Sequence, residues 1–173
     1  TAALTRYVLD RSTMAVSDRK RDEVRFGFRA AGWNFLLGAE ESVQIIDARP
    51  VCPLPGTPAW CAGLINLHGI LLPVFDLARL PGVTAGGKPR YIMVFGKGSR
   101  SAGVYIDALP GAVTLNNAAE PAGSLQNELL EACTDRQFRL GGLVWLETSF
   151  DRLFTELSLR FHHHGTPKGR TSP

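Results

Sequence analysis

The sequence predicts a mainly β protein made of two small five-stranded barrels, followed by a C-terminal helix. Short apolar segments with period-two alternation recur along the chain, as expected for half-buried strands. A twelve-residue stretch, GILLPVFDLARL (69–80), aligns without gaps on GLVWLETSFDRL (142–153). Strands this short leave exposed edges in an open sheet, and closure into a barrel removes those edges. The repeat therefore indicates two barrels related by a pseudo-two-fold axis.

The first half begins with a predicted hairpin over residues 24–37. Val24, Phe26 and Phe28 alternate with polar or small residues, so we expect them to share the buried face of the first strand. A short strand over SVQIIDA follows. Four prolines within PVCPLPGTPAW (50–60) exclude a central strand or a long helix there.

The first half closes with two apolar strands, AGLINLH and ILLPVF, which we expect to meet at Gly69. Asp76 is predicted to cap the short helical segment DLARL that follows. The second half repeats this order, with a hairpin of RYIMVFG and AGVYIDAL around KGSRS and a third strand over GAVTL. The polar stretch 116–135 contains one candidate helix, LQNELLEA. QFRL and LVWLE are the last predicted strands.

The chain is predicted to become helical from Ser149, because apolar residues then follow helical spacing at Phe150, Leu153, Phe154, Leu157 and Phe161. We divide the sequence into an N-terminal extension that is flexible or helical (1–22), one domain holding both barrels (23–159) and a flexible basic tail (160–173). The formal net charge is +3, of which the two ends carry +2 and +3 and the central region −2. This distribution argues against nucleic-acid binding by the folded body.

The sequence indicates a cytoplasmic protein. No apolar run reaches the roughly 18 residues that a membrane-spanning helix needs, and the N-terminus lacks the pattern of a signal peptide. The cysteines are odd in number and form no C-x-x-C pair, so we expect reduced thiols and neither disulfides nor a zinc site at Cys52, Cys61 and Cys133.

A search for catalytic residues finds little. Cys61 and His68 share one segment, but seven extended residues would separate them by about 23 Å, too far for a dyad. LARLPGVTAGGK lacks the G-K-[ST] order of a phosphate-binding loop, and the histidines at 162–164 lack a fixed further ligand. We therefore expect no enzyme activity, no catalytic residue, no metal and no cofactor.

The stretch GLINLHGILLPVFDL (63–77) has two polar side chains before Asp76, namely Asn66 and His68. In a regular strand these two side chains would point to the same face. Polar tips among apolar neighbours are typical of a sheet surface that binds another protein. The alternative is a buried His68 that is hydrogen-bonded to a backbone carbonyl.

TPAWCAGLINLHGILLPVFDLARL resembles the signature of CheW-like domains, the scaffold proteins of bacterial chemosensory arrays, and the resemblance extends over about residues 23–158. The family pattern has a Pro and an aromatic residue, then Gly-[Val/Ile]-x-Asn-Leu-Arg-Gly, an apolar run with Pro-Val, and Asp-Leu. The matching positions are Pro58, Trp60, Gly63, Leu64, Asn66, Leu67, His68, Gly69, Pro73, Val74, Asp76 and Leu77.

The resemblance implies two intertwined five-stranded SH3-like barrels, no catalytic activity and a role in coupling chemoreceptors to a CheA-type histidine kinase. The receptor's cytoplasmic hairpin tip would dock in the groove between the barrels, near a partner-binding set of Asn66, Leu67, His68, Gly69, Ile70, Pro73 and Val74. The kinase regulatory domain would contact exposed strands of the barrels, and we predict that Gln44, Ile45, Asp47, Val104 and Tyr105 form this interface. The protein would be cytoplasmic and would associate with membrane receptors through these partners.

One position departs from the family pattern, because His68 replaces an arginine. Arg is always charged and donates two parallel hydrogen bonds, whereas His is shorter and mostly neutral at pH 7. This change leaves open a divergent chemosensory system, such as one controlling type IV pilus motility, or a scaffold with another partner. A ligand-binding protein or a small-barrel enzyme would need a cluster of polar residues in a pocket. A nucleic-acid-binding barrel would need basic residues converging on one face.

Overall fold

The computed structural model describes residues 23–83, 88–116 and 120–164, and the expectations for residues 1–22 and 165–173 lie outside them. Within these ranges the chain forms strands β1 (Glu23–Ala30), β2 (Trp33–Leu36), β3 (Val43–Asp47), β4 (Cys61–Leu67), β5 (Ile70–Phe75), β6 (Tyr91–Phe95), β7 (Ala102–Ile106), β8 (Gly111–Leu115), β9 (Glu120–Pro121), β10 (Thr134–Leu140) and β11 (Leu143–Thr148). The helices are α1 (Glu128–Cys133) and α2 (Phe150–His164). Short 3-10 turns occupy Leu77–Arg79 and Gly98–Arg100.

The strands form two sheets that exchange chain segments. The first sheet has the order β8-β1-β2-β11-β10-β9, and the second has the order β3-β6-β7-β5-β4. The second sheet comes from one continuous stretch of chain, whereas the first combines β1 and β2 with β8 to β11. The chain therefore crosses to the second barrel after β2 and returns after β7. The predicted mainly β fold, with two intertwined barrels and a C-terminal helix, is confirmed.

The two halves repeat with a spacing of 73 residues, the distance in sequence between Gly69 and Gly142. Both glycines lie in the turns of equivalent hairpins, β4–β5 and β10–β11. β5 pairs in parallel with β7 of the β6–β7 hairpin, and β11 pairs in parallel with β2 of the β1–β2 hairpin. The register shifts at equivalent places, between Cys61/Gly63 and between Thr134/Arg136. The predicted internal repeat is confirmed.

Each barrel is closed by the chain that follows the third strand of a repeat, namely β3 in the first half and β8 in the second. After β3, Cys52 and Leu64 exchange two backbone hydrogen bonds of 2.8 Å each, which joins this segment to β4. After β8, the two residues of β9 pair with Phe138 and Arg139 of β10. β9 is thus equivalent to the Cys52 bridge. It is the sixth strand of the first sheet, and its pairing with β10 closes a barrel of five main strands.

The helical segments that end each repeat begin at the predicted caps. The Asp76 carboxylate accepts a hydrogen bond from the backbone N–H of Ala78 at 3.1 Å. The Ser149 hydroxyl accepts one from the backbone N–H of Arg152 at 3.3 Å. Such side-chain acceptors satisfy N–H groups that lack a partner within the helix.

Helix α2 runs to His164 and so passes the predicted boundary at residue 159. The extension is packed against the domain, because the Phe161 ring meets the Trp60 ring edge to face at a centroid distance of 4.9 Å. α2 is connected in this way to Trp60, which precedes β4 of the second barrel. The predicted short helix within LQNELLEA is present as α1.

The main hydrophobic core lies between the two barrels and α2. It joins Phe28 and Phe35 of the first sheet, Phe95 of the second and Phe150 of α2. Phe95 and Phe150 stack at a centroid distance of 4.2 Å. A second, smaller core fills the second barrel, with Ile65, Leu67, Leu72, Val74, Ile92 and Val94. The barrels are therefore packed together as one unit.

Candidate functional site

A groove of about 570 Å³ lies where the two barrels meet. The first sheet contributes part of β1, and the second sheet contributes Val43 and Ile45 of β3. The two chain crossovers complete the walls, namely the β2–β3 crossover segment (residues 37–42) and the β7–β8 connection at Leu109 and Pro110. The groove follows directly from the topology, because both crossovers leave their barrels at this place.

The lining of this groove is apolar and unusually exposed. Val24, Phe26 and Leu109 have 62%, 59% and 58% of their surface accessible, although all three are large hydrophobic residues. Clustered apolar side chains that stay exposed on a folded domain mark binding surfaces for other macromolecules. The groove is therefore a candidate docking site for a partner with an apolar ridge.

The exposure of Val24 and Phe26 corrects the prediction made for β1. We expected Val24, Phe26 and Phe28 to be buried together, and of these three only Phe28 is buried. Arg25, expected on the polar face, is buried at 8% exposure. The reason is that β1 is covered on different faces along its length. Near Glu23 the Arg25 side chain is covered by its contacts with Leu37 and Glu147, while the Val24 and Phe26 side chains line the groove.

The β2–β3 crossover segment is held by its own backbone and by Glu41. The Glu41 carboxylate accepts a hydrogen bond from the backbone N–H of Gly38 at 3.0 Å, and it also bonds the backbone of Phe150 at the start of α2. Burial raises the pKa of Glu41 above the ordinary 4.5, even though these bonds favour the charged form. The groove wall thus carries a carboxyl group whose protonated form burial stabilises.

His68 lies in a turn and not in a strand. β4 ends at Leu67, and His68 and Gly69 form a two-residue hairpin loop with φ angles of +52° and +86°. Positive φ at both central residues is the mark of a type I′ turn. The Asn66 side chain accepts a hydrogen bond from the backbone N–H of Gly69 at 2.8 Å and so fixes this turn.

The expectation that Asn66 and His68 share one strand face is therefore wrong, because the chain reverses at His68. The alternative of a buried histidine is also wrong, since the His68 side chain is exposed at the hairpin tip. His68 instead lines a cleft of about 260 Å³ at the end of the second barrel, together with Gln44, Leu67, Ile70 and Lys97. Val43 lines both this cleft and the groove between the barrels.

The other residues predicted to bind a partner do not form one surface in the structure. Val74 and Val104 are fully buried at 0% exposure and offer no side-chain surface to a partner. Pro73 and Tyr105 are half-buried, and Asp47 is exposed on β3. Ile45, expected on a kinase-binding strand, faces the groove. Of the two predicted sets, Gln44, Leu67, His68 and Ile70 come together in one place.

Sequence reasoning missed Val24, Phe26, Leu37 and Leu109, which supply large apolar side chains to the groove. The alternation in β1 suggested an ordinary buried face, and nothing in the sequence marks where the covering sheet ends. Leu109 next to Pro110 was the one signal available, because a large apolar residue in a connection between strands often has a binding role.

The chemistry of the described residues centres on packing. Burial raises the pKa of the Cys61 and Cys133 thiols, whereas a nucleophilic cysteine needs a lowered value. No group of three potential metal ligands occurs within residues 23–83, 88–116 and 120–164. Among the helices of these ranges, none has the length and apolar character required to cross a bilayer.

The fold and the groove define a class, a two-barrel domain with an exposed apolar groove between its barrels. Residues 26–155 match the CheW-like domain family. This match covers most of the sequence, and the chain belongs to that family.

Two curated relatives and one solved structure are similar to this chain. A probable chemotaxis protein CheW of Rhizobium etli is 28% identical over 126 residues, which cover 71% of this chain and 78% of the relative. A chemotaxis protein CheW of Rhizobium meliloti is 30% identical over 92 residues, covering 52% and 59%. The crystal structure of the scaffolding protein TtCheW from Thermoanaerobacter tengcongensis superposes with a TM-score of 0.63 at 21% identity, covering 78% of this chain and 88% of that one. The structural likeness shows a common fold.

Proposed function

We propose that this chain is a non-catalytic adaptor that couples chemoreceptors to a CheA-type histidine kinase. The observation that carries the proposal is the exposed apolar groove between the barrels of a CheW-like domain. The relatives named as chemotaxis proteins support the same role. In this role the protein is cytoplasmic and reaches the membrane through its receptor partner.

We assign the groove to the receptor. A receptor tip is a helical hairpin, and a helix presents a stripe of apolar side chains at i, i+3, i+4 and i+7 that fits an apolar groove. Val24, Phe26 and Leu109 lie exposed along the groove and would meet that stripe. Burial of apolar surface is the dominant favourable contribution to most protein–protein association.

We assign the His68 cleft and the neighbouring edge strand β3 to the kinase regulatory domain. β3 is the edge strand of the second sheet, and Gln44 and Asp47 are exposed on it. His68 and Ile70 lie beside Gln44 in the cleft. The groove and the cleft adjoin each other, because Val43 lines both.

The receptor assignment is tested with a cytoplasmic hairpin fragment of a chemoreceptor from the same genome, titrated by calorimetry. Phe26→Asp places a charge in the groove and is expected to weaken binding by about tenfold or more. Leu159→Asp is the matched control, because Leu159 is similarly exposed at 53% but lies on α2 outside the groove. Absence of binding by the unmodified protein would contradict receptor coupling.

The kinase assignment is tested with the CheA regulatory domain from the same genome. His68→Arg restores the side chain of the family pattern, and His68→Ala removes the imidazole. Altered affinity in either variant supports a working interface at the cleft. Unchanged affinity in both would place the kinase elsewhere, and binding by His68→Arg alone would identify a chain that has diverged from the standard array.

A further inference from the structure

Arg25 is a charged side chain buried in the wall of the groove. It is 8% exposed and lies on β1 between Val24 and Phe26, whose side chains face the groove. Burying a guanidinium costs free energy unless all its N–H groups find partners. The hydrogen-bond partners of Arg25 therefore indicate why this side chain is buried.

The Arg25 guanidinium joins three elements. Its Nε and Nη2 atoms both donate to the backbone carbonyl oxygen of Leu37, at 3.2 and 2.8 Å. Nη2 also donates to Glu147 on β11 at 3.0 Å, and Nη1 donates to Glu23 on β1 at 2.9 Å. The two carboxylates balance the charge, while the two bonds to Leu37 fix a backbone position.

Leu37 is the first residue of the β2–β3 crossover segment, and both of its backbone polar groups are held by β1. Its N–H donates to the carbonyl oxygen of Phe26 at 2.8 Å, and its carbonyl accepts from Arg25. Beyond Leu37 the segment lies between two cavities. One is the groove, and the other is a space of about 370 Å³ lined by Glu40, Glu41 and Phe150.

A segment with space on both sides is positioned by its anchors more than by packing. Its described anchors after Leu37 are the Gly38–Glu41 bonds, the bond from the backbone of Phe150 to the Glu41 carboxylate, and one bond from the N–H of Gly96 to the carbonyl of Ser42. The Gly38–Glu41 contacts lie within the segment, and the other two bonds tie its far end to α2 and to the second barrel. The fixed point at the first-barrel end is Leu37.

We propose that Arg25 is a positioning residue for partner binding, which holds the β2–β3 crossover segment at Leu37 and so presets the width of the groove. The proposal rests on the groove being the receptor site. It adds a residue whose role is to fix the shape of the groove wall that the partner meets. A preset groove binds more tightly, because no free energy is spent on ordering its wall.

The geometry requires arginine. Two nitrogen atoms on one edge of the guanidinium donate to Leu37, while a third donates to Glu23. The guanidinium is planar and rigid, so these donors keep a fixed geometry. A lysine ammonium is a single point on a flexible stem. Arg25→Lys therefore keeps the charge between Glu23 and Glu147 and loses the double hydrogen bond to Leu37.

The test compares Arg25→Lys and Arg25→Met with Arg29→Met, all in the full chain. Arg29 lies on the same strand but is 64% exposed and has one distant ion pair, to Asp107 at 3.9 Å. Hydrogen–deuterium exchange of the backbone amides in residues 37–42 reports how firmly the segment is held, because exchange requires local opening. Calorimetric titration with the receptor hairpin fragment reports the groove, and urea unfolding reports global stability.

Arg25→Lys is expected to speed exchange in residues 37–42 by about tenfold, which corresponds to one lost buried hydrogen bond, with little change in β6 and β7. It is expected to weaken fragment binding by a similar factor, and Arg29→Met is expected to change neither quantity. Exchange that stays unchanged in Arg25→Lys, or that rises equally throughout the domain, would overturn the proposal. If the unmodified protein does not bind the fragment, the receptor assignment fails, and the exchange data still decide whether Arg25 holds the segment.

Discussion

Glu147 receives charged hydrogen bonds from two arginines that lie on different strands. Arg25 reaches one carboxylate oxygen at 3.0 Å, and Arg136 reaches the other at 2.6 Å. Burial by itself would raise the pKa of Glu147, but these two bonds outweigh it and hold the pKa below the ordinary 4.5. The folded state therefore favours the charged carboxylate.

A lowered pKa in the folded state stabilises the protein above pH 4.5, and this contribution is lost as pH falls through the depressed value. Glu147→Gln is expected to reduce the free energy of unfolding by about 1–3 kcal/mol at pH 7, because charge-assisted bonds become neutral ones. The difference from the unmodified protein should shrink as pH falls below 4.5. Urea unfolding across this range measures it, with Glu40→Gln as a control at an exposed carboxylate. A difference that stays constant with pH would contradict the prediction.

The positive φ of His68 leads to a second prediction at the scale of one residue. A positive φ is costly for residues with a Cβ, and most costly for β-branched ones, whereas Asn and His tolerate it. His68→Val is therefore expected to lower the free energy of unfolding by about 1–2 kcal/mol, and His68→Asn to maintain or slightly raise it. Urea unfolding at pH 7 provides the measurement. Leu71→Val, at a 65% exposed strand position, is the control. Equal stability of His68→Val and the unmodified protein would show that the turn is not strained.

At the scale of elements, the bridge between Cys52 and Leu64 closes the second barrel and depends on Gly63. Gly63 has a φ of +138°, and a Cβ at this position would lie 2.2 Å from the carbonyl oxygen of Cys52. A side chain cannot occupy that space while both hydrogen bonds of the bridge remain. The glycine of the family motif is thus explained by barrel closure.

Gly63→Ala is expected to destabilise the protein by about 2–4 kcal/mol, through backbone strain and a displaced bridge. Gly111→Ala is the matched control, because Gly111 lies on β8 with open space around it and is expected to change stability by less than about 0.5 kcal/mol. Thermal unfolding of both variants measures the difference. Similar stability of the two variants would mean that the second barrel does not need this bridge.

Sequence patterns predicted the strands and helices well. They predicted less well which side chains are buried and where the groove lies. Alternation found the hairpins and the last strands, and the 73-residue repeat located both caps, because these features depend on neighbours in sequence. The burial of Arg25 and the exposure of Phe26 depend on β11 and on the two crossovers, which are distant in sequence. For the same reason the groove was expected near the His68 motif, whereas Val24, Phe26 and Leu109 form much of it. His68 itself was placed in a strand because a turn residue with positive φ has no signal in a periodic pattern.

At the scale of the whole molecule, the groove exists only where both barrels are folded. Its walls come from β1 of the first barrel, β3 of the second and the two crossovers. The main core has the same property, since Phe28, Phe95 and Phe150 belong to the first barrel, the second barrel and α2. Unfolding of either barrel would therefore expose part of this core to water.

We therefore expect one cooperative unfolding transition for the described domain, although the second barrel is formed by one continuous stretch of chain. The sequence has three tryptophans, at positions 33, 60 and 145. A variant that keeps Trp60 reports the end of the second barrel, and a variant that keeps Trp145 reports β11 of the first, with the other tryptophans changed to Phe. In each variant the fluorescence and far-ultraviolet circular dichroism transitions in urea should coincide, as for a two-state domain. Separate midpoints would show that one barrel unfolds while the other persists, and the groove would then be lost before the fold.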